Sequence, residues 1–418
     1  MNYRRLVPAN SFLGRYLAYM QSQETASSFD FYCGLWCISA VCGRFTHVDR
    51  PRAPVYLNMF VILVGESGVA RKTTSVKLAT SVVRSVLGAD KPIGLLDAKA
   101  TPERLEEMLN DRTTELGHAQ IAIAIPELAV FLGTEQYIAH MPTLLTDLYD
   151  CPTDRVGGGT IVRGSNIMRH VWVSFLSAST PVWLLKTVNP NVVEGGFTSR
   201  CYFVVSNEPK KRIPWPEDAD ADLFKDICDD VKIIHTEALE RGPIKVHPLA
   251  IKAFSAWYHK REHALDPFRQ SFEAREDAHV LRVAALLCIN DGTWEIRRAH
   301  VNVALRLVMQ LKAASGGIFE NAEMYTKYAQ ALDIIRAQLM SSGLDPIQKH
   351  TLYRKCKSHV TNDEFLNLLE VLHEIGAIQR FMLRSEDGRG GRPAEYIRGT
   401  QLILSRGLGE SVLDRFTV

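Results

Sequence analysis

The chain has no apolar run of the roughly 18–20 residues that a membrane-spanning helix needs. It also has almost no net charge: 49 Lys and Arg against 47 Asp and Glu leave +2. The first absence argues against a helical membrane protein. The second argues against a protein that holds nucleic acid or a membrane by bulk charge, so any basic surface has to be local. Cysteine is sparse, eight in 418 residues, and not spaced as a disulfide framework. Met1 to Gly14 carries no apolar core of the kind found in secretory leaders. Together these absences predict a cytoplasmic protein with reduced thiols and no membrane partner. No internal repeat is visible.

What is present is ordinary globular material. The chain is 46% hydrophobic, enough for a sizeable core, and its length suits two or three domains. Residues 1–50 read as an N-terminal helical segment, with apolar positions at helical spacing from Phe12 to Ala40. Cys33, Cys37 and Cys42, with His47 nearby, lie in that apolar pattern and read as core rather than as metal ligands. Over residues 51–222, short apolar runs (Met59–Val64, Ile121–Ile125, His170–Ser177, Cys201–Val205) alternate with helical stretches (Thr73–Leu87, Thr101–Glu115, Met141–Tyr149). That alternation predicts an α/β fold with a mainly parallel sheet. Residues 207–222 form a polar, Pro-rich linker, and residues 223–327 read as helical throughout. Residues 328–418 read as three helices and a hairpin, with a Gly/Arg turn over 387–393, the pattern of a winged helix.

The stretch Val61-Ile62-Leu63-Val64-Gly65-Glu66-Ser67-Gly68-Val69-Ala70-Arg71-Lys72-Thr73-Thr74 reads as buried strand, small-residue turn and helix start. Small residues let backbone N–H groups wrap phosphates, a Lys reaches the β- and γ-phosphates, and a Ser or Thr hydroxyl holds Mg²⁺. The strict spacing is not met. Counting from Gly65 puts Ala70 and Arg71 where Gly and Lys belong; counting back from Lys72 puts Arg71 at the second Gly. We read Lys72 as the phosphate lysine and Thr73 as the Mg²⁺ ligand, in a loop one residue longer than standard. Gly65, Ser67, Gly68, Arg71 and Thr74 complete the ATP-binding set. The strand ending Ile125-Pro126-Glu127 supplies a carboxylate that could activate water, with Pro where a metal-binding Asp usually stands. Thr180 follows the next strand, where ligands sit in open α/β sheets. Arg200 directly precedes a further strand, after a glycine turn, as an arginine finger would.

Four motifs follow in order: Glu66 to Thr73, Pro126-Glu127-Leu128, Leu176 to Pro181 and Gly195 to Arg200. This order resembles the replicative-helicase-like P-loop ATPases of phages, prophages and plasmids, and the AAA+ core of minichromosome-maintenance helicases. The resemblance implies an arginine finger at Arg200, a helical lid with a nucleotide-reading arginine at Arg282, and a C-terminal winged helix. It also implies a pore hairpin, here the Gly triplet at 157–159, with Arg155, Arg163 and Arg169 on single-stranded DNA. In the wing, Arg389 and Arg392 suit duplex contact, although winged helices also bind proteins. The expectation is a ring-forming DNA helicase or translocase of a mobile element, with a hexamer as the expected assembly because a finger acting on a neighbour needs head-to-tail contacts. A primase or another replication protein is a further expected partner. The rival is an ATP-switched DNA-binding initiator with little unwinding, which the missing Asp favours; a third reading is a scaffold with a relict loop.

Overall fold

The computed structural model describes residues 1–51, 53–132, 140–156, 167–187, 196–215, 218–261, 267–343, 345–383 and 394–404. Five parallel strands form the central sheet: β1 (Phe60–Val64), β2 (Gly94–Leu96), β3 (Gln120–Ile125), β4 (Trp172–Ser179) and β5 (Cys201–Val205), in the order β2-β3-β4-β1-β5. All five residues of β1, Phe-Val-Ile-Leu-Val, are buried, as a strand covered on both faces requires. The apolar runs therefore form strands as the sequence predicts. The short strand β2 is the exception: three residues between Pro92 and Asp97 carry too little pattern to stand out.

Helices α1 (Phe12–Tyr19), α2 (Ser27–Cys42), α3 (Lys72–Val83) and α4 (Pro102–Leu116) come first in the chain. They are followed by α5 (Leu128–Leu132), α6 (Met141–Tyr149), α7 (Pro181–Thr187), α8 (Ala221–Arg241), α9 (Pro248–Tyr258) and α10 (Pro267–Asn290). Thr101 caps α4 through the Arg104 N–H, with Pro102 at the first helical position. Helix α2 is the hub. From Phe29 to Cys42 every residue is buried, and α2 packs on α1, α3, α8 and α10 as well as on the sheet. A helix with no polar face has to be enclosed. Met1–Gly316 is one compact unit. Burial also raises the Cys33, Cys37 and Cys42 thiols above their usual range, and the described residues contain no cluster of three potential metal ligands.

The second unit is Gly317–Val418, and the boundary falls inside helix α11 (Arg298–Ser341). Within it, α12 (Lys349–Cys356) and α13 (Asn362–Glu374) accompany an antiparallel sheet with Ala394–Gly399 between Ile347–Gln348 and Ile378–Leu383. Thr361 and Glu364 form a reciprocal capping box that starts α13. Its core includes Leu352, Phe365, Leu368, Leu372 and Ile397. No helix among the described residues is long and apolar enough to cross a membrane.

Candidate functional site

The carboxyl ends of β1, β4 and β5 are level, because Val64 pairs with Ser179 on one side and Val205 on the other. The Gly65 N–H donates to the Ser179 carbonyl at 3.3 Å, and the Ser206 N–H donates to the Val64 carbonyl at 3.0 Å. A Cβ on Gly65 would lie 2.3 Å from the Ser206 carbonyl oxygen, so only glycine lets the strand ends converge here. The loop then runs exposed from Glu66 to Val69, through Gly68 at φ +77°, and buries Ala70.

Arg71 precedes α3 with φ 48° and ψ 39°, the left-handed conformation. A non-glycine residue there costs roughly 1–2 kcal/mol. Arg71 thus adopts the backbone state that a glycine would supply, which agrees with counting back from Lys72. Its guanidinium pairs with Glu24 at 3.1 Å. The first hydrogen bonds closing α3 come from the N–H groups of Thr74 and Ser75 to the Arg71 carbonyl. The N–H groups of the first turn have no partner further back in the helix, and with the helix dipole they favour an anion.

Lys72 is the first residue of α3, and its Nζ donates back to the Glu66 carbonyl at 3.1 Å. Burial lowers its pKa, while the carboxylates of Glu66 and Glu127 push it back up. Lys72 and Glu127 therefore act on one another across the loop. Thr73 and Glu127 are exposed, as is Ser67. With no acidic cage among the described residues, a divalent ion here would rely on the Thr73 hydroxyl and on phosphate oxygens, a donor set that suits Mg²⁺. Thr180, one residue beyond β4, accepts the Trp183 N–H at 3.3 Å and so also starts α7.

A buried network behind the loop escaped the sequence reading. Asp30 of α2 is 1% exposed and accepts hydrogen bonds from Ser75 of α3 (3.3 Å), Thr25 (2.9 Å) and Lys210 (2.5 Å). It ties α3 to the N-terminal helices and to the segment after β5. Desolvation raises the Asp30 pKa and the Lys210 ammonium opposes the rise. The visible signal was a lone carboxylate between Phe29 and Phe31 in an apolar run.

Arg200 and Arg282 lie elsewhere. Cys201 pairs with Phe60, so Arg200 stands at the amino end of the sheet. Five strand residues, about 17 Å at 3.3 Å each, separate it from the loop of its own chain. Nor does Arg200 project as a finger would: it is buried, paired with Asp150 at 2.7 Å and bonded to the Gly196 carbonyl at 2.9 Å. Arg282 is buried too, its Nε donating to the Tyr56 carbonyl at 2.8 Å.

The expected hairpin has its stem, Asp154–Val156 paired with Ile167–Arg169. Arg155 is partly buried and pairs with Glu106 at 2.7 Å. Arg169 is exposed. Arg163, Arg389 and Arg392 lie outside the described residues. Neither a protein-family model nor a curated protein matches the chain.

Proposed function

We propose that the chain is a P-loop ATPase of the AAA+ type. The observation that carries this is the loop itself: Gly65 to Thr74 joins the buried strand β1 to the N-terminus of α3, with Lys72 folded back over the loop. In this reading Lys72 and the first-turn N–H groups hold the β- and γ-phosphates of ATP, and Thr73 holds Mg²⁺. Glu127 lies two residues beyond β3, which is two strand positions from β1. At 4.7–4.9 Å per strand that is about 10 Å, a span that takes a γ-phosphate and its attacking water. Thr180 directly follows the strand between them, where it can touch the γ-phosphate. Arg200 acts on a neighbour's site, which calls for a head-to-tail ring. The described helices and antiparallel sheet of the second unit support a winged helix. The reaction would drive translocation on DNA during replication of a mobile element.

A second reading, an ATP-switched DNA-binding protein with little turnover, is favoured by Pro126 in place of an acid and by the internal pairing of Arg155. Measuring ATP hydrolysis with and without single-stranded DNA, in the natural chain and in Lys72→Ala, separates them. DNA-stimulated hydrolysis that needs Lys72, together with fork unwinding, supports the motor. ATP binding and assembly without unwinding supports the switch, and no nucleotide binding refutes both.

A further inference from the structure

Helix α9 is apolar yet largely uncovered. Of the residues Pro248–Tyr258 only Ala250 is buried, while Ile251 and Tyr258 are 51% and 41% exposed. Ile251, Phe254 and Tyr258 recur at i, i+3 and i+7, so they line one side of the helix. At its carboxyl end the rings hold one another. The Phe254 centroid lies 5.4 Å from that of Trp257 and 6.3 Å from that of Tyr258. The Arg261 guanidinium carbon stands 4.0 Å from the Tyr258 centroid and 5.6 Å from that of Trp257. Arg261 is itself pinned, its Nη1 donating to the Glu273 carbonyl of α10 at 3.2 Å. The guanidinium takes one face of the Tyr258 ring, and the exposed remainder of that ring is open to solvent.

The charge carried by this stretch has one sign. From Lys245 to Arg261 the sequence holds four Lys or Arg, two His and no Asp or Glu; acids resume at Glu262. In a chain whose charges nearly cancel, this is a local basic surface. Lys252 and Lys260 are exposed, and neither forms an ion pair among the described residues. The carboxylates behind the rings, Glu273 and Glu276 of α10, are buried and lie 2.6 and 3.8 Å from the Lys312 ammonium. They are therefore occupied inside and do not answer the two lysines.

We propose that the carboxyl-terminal half of α9, with Lys260 and Arg261, is a stacking surface for single-stranded nucleic acid. Bases rest on Tyr258 and against Trp257 and Phe254, and phosphates meet Lys252 and Lys260. Aromatic rings beside cations hold unpaired bases without regard to sequence, because every base has a π-face. Arg261 keeps the Tyr258 ring fixed, so little side-chain freedom is lost when a base stacks on it. Lys252 and Tyr258 are six residues apart, about 9 Å along the helix, which spans roughly two to three nucleotides at 3.4 Å each. A lipid surface suits the helix less well. The exposed aliphatic side chains Leu249 and Ile251 are two residues apart and face different sides, so no continuous apolar face is offered for insertion. This surface is built on neither the hairpin stem nor the second unit, and it does not rest on the ATPase reading.

The test is fluorescence anisotropy of a labelled oligothymidylate with the full chain, without ATP, over a series of salt concentrations. Tyr258→Ala should weaken binding by about tenfold, and Tyr258→Phe, which keeps the ring, should bind as the natural chain does. Lys260→Ala should make the dependence of log K on log salt shallower by about 0.7, the share of one phosphate. Lys260 is exposed and unpaired, so this variant decides the matter even if Tyr258→Ala does not fold. No binding of the oligonucleotide, or binding and a salt slope that neither variant changes, overturns the proposal. So does Tyr258-dependent binding to phosphatidylserine vesicles, or Tyr258-dependent self-association, in a chain that leaves the oligonucleotide free. Because no ATP is present, a phosphate loop that fails to bind nucleotide leaves this result standing, and the two readings fail separately.

Discussion

Replacing Lys210 by Met tests the buried network that anchors the loop helix. The ammonium lies 2.5 Å from an Asp30 carboxylate that is 1% exposed. Removing it strands a buried carboxylate with only the Thr25 and Ser75 hydroxyls as donors. Breaking one side of a buried pair costs about 3–5 kcal/mol. At about 2–4 °C per kcal/mol for a unit of this size, melting should fall by roughly 6–20 °C. The pH dependence follows from Asp30. Its folded pKa is already raised from 3.8 by burial, and losing Lys210 removes the main opposing influence. Between the unfolded and the folded pKa the native state binds the extra proton, so stability is highest at low pH and falls as pH rises, by about 1.4 kcal/mol per unit. The deficit relative to the natural chain should therefore be smaller at acid pH than at neutral to alkaline pH. Thermal unfolding followed by circular dichroism across that range measures it. A loss of less than about 2 °C, or a deficit of equal size at both ends of the range, would refute the reasoning. Because Ser75 sits one turn into α3, ATP affinity should drop in the same variant.

Other perturbations probe the loop and the second unit. Gly65→Ala forces a Cβ to 2.3 Å from the Ser206 carbonyl and should cost about 1–3 kcal/mol in denaturant unfolding, with weaker nucleotide binding. Arg71→Gly exchanges left-handed strain for a lost exposed ion pair with Glu24; stability should stay within about 1 kcal/mol of the natural chain and ATP binding should persist, whereas Arg71→Val should lose both. Glu127→Gln should retain ATP affinity and lose hydrolysis by about 100-fold or more, and unchanged turnover would remove Glu127 from the reaction. Thr361→Ala removes half a capping box and should destabilise by about 1 kcal/mol, read in unfolding of the full chain.

The strands, the helices that follow them and the loop were legible because apolar runs and small-residue turns are local signals. The backbone state of Arg71 was not, since nothing in the letters says that it takes a glycine's conformation. The internal pairing of Arg155 with Glu106, and of Arg200 with Asp150, was equally invisible: the partners are 49 and 50 residues apart. Asp30 and Lys210 are 180 residues apart and belong to a site only once folded. The N-terminal helix read as a separate segment because its apolar character shows that it is covered, not by what.

What covers α2 sets the order in which the chain can mature. Its Tyr32 hydroxyl donates to the Leu307 carbonyl, 275 residues further on, and Leu13 of α1 donates to the Asn290 side chain, 277 further on. On a ribosome adding about 5–20 residues per second, α2 waits roughly 15–55 s for the last of these partners. Through that interval a helix with no polar face is in solvent beside an unfinished sheet. The newborn chain is thus a natural client for holding chaperones. Slowing synthesis between codons 42 and 307 should increase aggregation of the nascent protein, while slowing it beyond codon 316 should not.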